Sequence, residues 1–141
     1  MVKRKIRKSS ALFIPKISFG MMNGSMIKIS DNSGAKVAQI IGILKYHGRL
    51  RRIPKARIGD MCIAAIKKGV PEMRHQKVNI VIIRQRKCFR RMNGDWIQFD
   101  DNAAVVVKPD GEPKGSEIRG AVSKEAADRW PLLGNKARII I

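Results

Sequence analysis

The sequence predicts a mainly β protein: a small antiparallel β-barrel with a projecting β-ribbon and short helices near its C-terminal end. Short apolar, β-branched runs recur at close and fairly regular spacing, and turn residues separate them. No ten-residue helical pattern lies between them, as βαβ units would require. The 141 residues, 44% of them hydrophobic, are about one domain's worth of chain with enough apolar side chains for a core. The expected division is a basic extension over 1–22 and a single barrel domain over 23–141.

Met26 to Ser30 alternates apolar and polar positions, and Asp31-Asn32-Ser33-Gly34 supplies turn chemistry after it. Lys36 to Leu44 runs apolar, with Gly42 at a candidate bulge. Gly59-Asp60 opens a third strand, Met61 to Ile66, which stops at Gly69 and Pro71. Val78 to Ile83 is dense in Val and Ile and reads as a buried strand. Trp96 to Phe99 and Ala103 to Val107 complete the set.

Asn93-Gly94 is the sharpest local signal. At the centre of a two-residue type I′ turn it folds Arg84 to Arg91 back on Trp96 to Phe99, with Arg91 opposite Trp96 and Arg90 opposite Ile97. Both faces of the incoming strand carry cations, so the hairpin is expected to project, with Trp96 and Phe89 available for stacking or groove insertion. The plainer alternative is an edge hairpin whose charges only discourage aggregation. Helix is expected late: Ser123 can cap a helix with Glu125 in its first turn, running to Trp130 and resuming after Pro131.

Charge is the strongest functional signal. Thirty Lys and Arg against 11 Asp and Glu give a net charge of +19. Residues 1–91 hold 23 of the cations and only Asp31, Asp60 and Glu72, a balance of +20, whereas residues 92–141 balance to −1. The cations concentrate in the tail, in a loop over Lys45 to Arg57, and over Lys67 to Arg91. Three such runs with so few acids point to a polyanion, and nucleic acid is the first partner they imply.

Other classes fit poorly. The longest run without a formal charge, Ile17 to Ile27, has 11 residues against the roughly 20 of a membrane span, so no membrane partner is expected. Ser9 to Pro15 is too short and broken for the apolar core of a signal peptide. Cys62 and Cys88 are too few for a disulfide scaffold and fit a reducing compartment. Together with His47 and His75 they are isolated, so no metal site is expected. Gly111 to Ser116 lacks the spacing of a phosphate loop, and nothing assembles a nucleophile, a base and an oxyanion donor. Neither catalysis nor a cofactor is expected. A free single-strand-binding chaperone or translation factor is a rival, but it needs stacking platforms and aromatics are only 5% of the chain.

Five stretches carry a family likeness: DNSGAK at 31–36, RIGDM at 57–61, IKKGVPEMR at 66–74, VIIRQRKCFRRMNGDWIQFDDNAAVV at 81–106 and KGSEIRGAVSKEAADRWP at 114–131. In them the chain closely resembles the universal large-subunit ribosomal protein family numbered fourteen, in its eukaryotic form, numbered twenty-three in older naming. One position departs: Ile80 stands where the family usually has Ala or Gly, which predicts a locally repacked strand. The resemblance implies a five-stranded barrel with a projecting ribbon and binding to large-subunit ribosomal RNA. It also implies a place at the subunit interface, contacts with small-subunit ribosomal RNA and neighbouring ribosomal proteins, and an anti-association factor docking near the C-terminal part. A cytoplasmic ribosome, with nuclear or nucleolar passage during assembly, goes with it.

Combining charge with resemblance, the residues expected on RNA are Lys3, Arg4, Lys5, Arg7, Lys8, Lys45, Arg49, Arg51, Arg52, Lys67, Lys68, Arg84, Arg86, Lys87, Arg90 and Arg91, reading RNA shape more than sequence. Asn93 and Gly94 are expected to set the ribbon's turn. Ser123, Lys124, Ala127, Trp130 and Leu133 are expected to face protein.

Overall fold

Period-two burial builds the central sheet of this computed structural model, which describes residues 17–46 and 48–141. The chain forms β1 (Met21–Met22), β2 (Met26–Ile29), β3 (Ala35–Ile43), β4 (Lys55–Ala56) and β5 (Met61–Gly69), then a single 3₁₀ turn over Pro71–Met73. It continues through β6 (Lys77–Arg84), β7 (Phe89–Arg90), β8 (Trp96–Ile97), β9 (Ala103–Val107) and β10 (Ile118–Val122). Helices α1 (Lys124–Arg129) and α2 (Pro131–Gly134) and strand β11 (Ala137–Ile140) end it. The tail cations Lys3, Arg4, Lys5, Arg7 and Lys8 lie outside the described residues.

Strands β2, β3, β5, β6 and β9 close a barrel in that order. Its interior takes alternate residues: Ile27, Ala38, Ile40, Cys62, Ala64, Ile66, Ile80, Ile82, Ala104 and Val106 are all at most 1% exposed. Ile80 is one of them, beside Cys62 and Val106 on the neighbouring strands. Four of the barrel's five pairings are antiparallel, and the closing one, β2 with β9, is parallel, Lys28 with Ala103 and Ile29 with Ala104. An odd number of strands that alternate in direction leaves the first and last pointing the same way, so the closing seam has no other choice. Gly42 does sit at a bulge, where the β3–β5 register shifts between Ile40 and Gly42.

Strands β6 and β9 are buried on both faces. Val81, Ile83, Val105 and Val107 are at most 4% exposed although they alternate with the inward set. The C-terminal part explains this: Ile118 and Val122 of β10, Ala126 of α1 and Leu133 of α2 are fully buried in the same core. Ile118, Val122 and Leu133 each contribute about 1.5–3 kcal/mol when they leave water. The packing also reaches back into the stretch read as tail, since Ile17 and Met21 are buried and β1 pairs with β4.

The family-like motifs fasten the C-terminal part to the barrel. Asp31 accepts from Val106 N (2.7 Å), and Asn32 Oδ1 accepts from Ser116 N (2.9 Å). A Cβ on Gly115 would stand 2.6 Å from that same Oδ1, so the clamp requires glycine. Trp130 donates its indole N–H to the Gly59 carbonyl (2.8 Å), and Arg129 pairs with Asp60 (2.5 Å). The Trp130 ring lies on Gly111, whose φ of +86° and lack of a side chain admit it.

Candidate nucleic-acid interface

Antiparallel pairing of β3, β5 and β6 sends the basic loops to the two ends of the barrel. Ile43, Met61 and Arg84 end or begin their strands together, and Ala35, Gly69 and Lys77 do so at the opposite end. The first end carries the loop with Lys45, Arg49, Arg51, Arg52 and Lys55, and Arg86, Lys87 and Arg90 follow β6 from the same end. The second carries Lys36, Lys67, Lys68, Arg74 and Lys77. All are exposed, and among the described residues none of them pairs with an acid.

A buried amide joins the pieces of the first end. Gln85 is fully buried; its Oε1 accepts from Ile58 N (3.3 Å), while its Nε2 donates to the carbonyls of Ser18 and Lys87 (3.0 Å each). The Ser18 hydroxyl donates to the Cys88 carbonyl (2.6 Å), and the Arg57 guanidinium lies 5.5 Å from the centre of the Phe19 ring. Sequence reasoning passed over Gln85. A neutral amide between Arg84 and Arg86 looks like one more surface polar group until Ile58 and Ser18, from distant segments, join the nearby Lys87 carbonyl around it.

Two of the expected RNA ligands turn inward. Arg84 donates to Asp101 (2.8 Å), Ser30 Oγ (2.9 Å) and the Ala121 carbonyl (2.6 Å), so its guanidinium is committed within the protein. The hydrogen bond from Arg84 holds the Asp101 carboxyl below its ordinary range, although partial burial opposes the shift. Arg91 grips Glu125 through Nε (2.6 Å) and Nη2 (3.2 Å) and also reaches the Ile141 oxygen (2.7 Å). Charge on both faces of this segment therefore does not keep it off the core: opposite charges await two of the cations.

The hairpin differs in register from the expectation. Phe89 pairs with Ile97 and Arg90 with Trp96, one residue away from the predicted match. Arg91 N donates to Asp95 O (2.9 Å) and Gly94 N to Arg91 O (3.0 Å), so three residues, Met92 to Gly94, form the loop. Gly94 takes a φ of +96°, while Asn93 is not among the residues with positive φ. A type I′ turn needs positive φ at both central positions; a type I turn followed by a left-handed glycine needs it only at Gly94. Phe89 is 1% exposed and belongs to the core, not to a stacking surface, whereas Trp96 stands 68% exposed beside Arg90.

The residues expected to face protein divide similarly. Ser123 is buried and caps α1, accepting from Ala126 N (3.4 Å); Leu133 is in the core and Trp130 is held against Gly59. Lys124 is exposed and Ala127 half-buried. Apolar surface appears instead on Leu132, Ile139, Ile140 and Ile141, all at least half exposed. Strand β11 pairs with β10 in parallel, and β10 is its sole strand neighbour among the described residues.

Burial, then the nearby Asp60 charge, pushes the Cys62 thiol up to about 12, so it is a core thiol, not a nucleophile. Among the described residues no three of His, Cys, Asp and Glu gather as a metal site, and no helix is long and apolar enough to cross a membrane. What the surface offers is fixed cations. The family model described as Ribosomal protein L14p/L23e matches residues 20–141. The chain belongs to this family. Proteins named large ribosomal subunit protein uL14 from Sulfurisphaera tokodaii and Metallosphaera sedula are 53% and 52% identical over 122 and 121 residues, 86% of this chain and 88% of each relative. The one from Saccharolobus solfataricus is 51% identical over 117 residues, 83% of this chain and 85% of its own. Members of the L14 family are structural proteins of the large ribosomal subunit, not enzymes, and the ribosome is where this chain works.

Proposed function

We propose that the chain holds large-subunit ribosomal RNA between the two basic ends of its barrel and presents its near-neutral C-terminal face to other ribosomal components. The observation that carries this reading is the set of exposed cations at both barrel ends, free of carboxylate partners among the described residues. Lys45, Arg49, Arg51 and Arg52, with Arg86, Lys87 and Arg90, contact phosphates and 2′-hydroxyls from one end, and Lys67 and Lys68 do so from the other. Arg84 and Arg91 act through the protein, by fixing the segment that carries Arg86 to Arg90. The N-terminal cations Lys3 to Lys8 extend the same contact.

The apolar edge of Ile139 to Ile141, with Leu132 and Lys124, suits a neighbouring ribosomal protein or an anti-association factor during subunit maturation. Its place near the subunit interface would bring small-subunit ribosomal RNA within reach and let the protein contribute to inter-subunit contacts during translation. The test is sedimentation of tagged full-length protein in high-salt sucrose gradients. Wild type should co-migrate with the large subunit, and reversal of Arg49, Arg51 and Arg52 to Glu should abolish co-migration. Unchanged incorporation of that variant would refute the role given to the loop.

A further inference from the structure

We propose that Leu50 is an apolar wedge that enters the RNA, seated against exposed base faces while Arg49, Arg51 and Arg52 hold the flanking phosphates. The proposal rests on reading this loop as an RNA contact and adds to it a non-ionic anchoring point. Leu50 is 90% exposed, more than any other large hydrophobic residue described. It sits at the corner of a turn in which Arg52 N donates to Arg49 O (3.1 Å). The next residue, Arg51, has a φ of +65°. Gly or Asn takes that conformation readily at this position of a turn, and arginine adopts it only at a cost. The turn puts the leucine at its corner, between Arg49 and Arg51 in the chain.

The rest of the loop is arranged so that the apex stays apolar. Lys45 also takes a left-handed conformation, with a φ of +57°. The Tyr46 ring folds back over Gly48, so close that a Cβ there would stand 2.3 Å from Cε1. The tyrosine ring is thus packed on the loop's own backbone, while Leu50 and Ile53, 60% exposed, are the open apolar side chains. A loop that served only as a solvated cationic surface would gain nothing from a leucine left 90% exposed at the corner of its turn. Insertion of an aliphatic side chain against or between bases, with cations on the adjoining phosphates, uses both features at once.

Charge selects the occupant. No acid occurs between Asp31 and Asp60, while Arg49, Arg51, Arg52 and Lys55 stand within five residues of Leu50 in the chain. A protein pocket for Leu50 would need a dense acidic rim to match; a phosphate backbone flanking exposed bases supplies that rim by its nature.

The experiment measures binding of the full-length protein to protein-free large-subunit ribosomal RNA from the same organism, with 2′-hydroxyl acylation of the bound RNA read nucleotide by nucleotide. Leu50→Ala should weaken binding about tenfold or more, the scale of burying a leucine side chain. It should also erase a protein-induced change in reactivity at one or two adjacent nucleotides, without moving the thermal midpoint. The joint change of Arg49, Arg51 and Arg52 to Ala serves as the companion variant. If that variant weakens binding while Leu50→Ala binds as wild type, the wedge is wrong and the RNA reading stands. Should neither variant weaken binding, both readings fall together. If Leu50→Ala keeps full RNA affinity but is excluded from subunits, the leucine docks on protein and the proposal is overturned.

Discussion

Removing Glu125 should unfasten the hairpin from the C-terminal helix, and the geometry sets the size of the effect. The Glu125 side chain is 7% exposed and accepts two hydrogen bonds from Arg91, itself 17% exposed. Breaking one side of a buried ion pair costs about 3–5 kcal/mol, because the remaining charge is stranded. Glu125→Ala leaves Arg91 one acceptor, the Ile141 oxygen, so the loss should lie below that range, at about 2–3 kcal/mol. In urea unfolding this lowers the midpoint by roughly 1–2 M at unchanged slope. Replacing both partners by Ala should cost clearly less than the two single losses added together, a coupling of about 1–3 kcal/mol. Additive losses, or a single-variant loss under about 0.5 kcal/mol, would refute the assignment of Arg91 as the tie between hairpin and helix.

Gly111→Ala should be among the most damaging small changes. It adds left-handed strain to a methyl group placed 2.3 Å from the Trp130 ring, for a loss of about 2–4 kcal/mol and a fall in Tm of roughly 10 °C; a calorimetric midpoint within about 2 °C of wild type contradicts it. Acid should weaken the Arg84–Asp101 clamp. The folded carboxyl is lowered from 3.8, so its support is complete above that pH and drains as pH falls through the folded value. Asp101→Asn should therefore lose stability at neutral pH and show a flatter acid limb in Tm against pH; an unchanged acid limb would show that the clamp contributes nothing.

The barrel was legible because its strands are local objects. Met26 to Ile29 advertises its inward face by alternation, Ala35 to Ile43 is marked by an apolar run with a bulge glycine, and Val81 to Ile83 with Ala103 to Val107 advertise burial on both faces by continuity. The short helices were legible from Ser123 and Pro131 for the same reason. Strands β10 and β11 were not: Arg119-Gly120 interrupts one, and their parallel pairing depends on two intervening helices. Nor was the fate of Arg84 and Arg91, whose carboxylate partners lie 17 and 34 residues away. In a chain this rich in cations, exposure of any one of them is decided by where the few acids land, and composition carries no record of that. The hairpin register failed by one residue because Asn-Gly fits both a two-residue turn and a three-residue loop closed by a left-handed glycine.

The salt dependence of binding to protein-free large-subunit ribosomal RNA bears most directly on the claim that the barrel's ends are phosphate clamps. About six phosphate contacts drawn from the exposed cations would give a slope of log affinity against log salt of roughly −4 to −5 for full-length wild type. Tight binding whose slope stays near zero would contradict the account, because cations that release no counterions are not on phosphates.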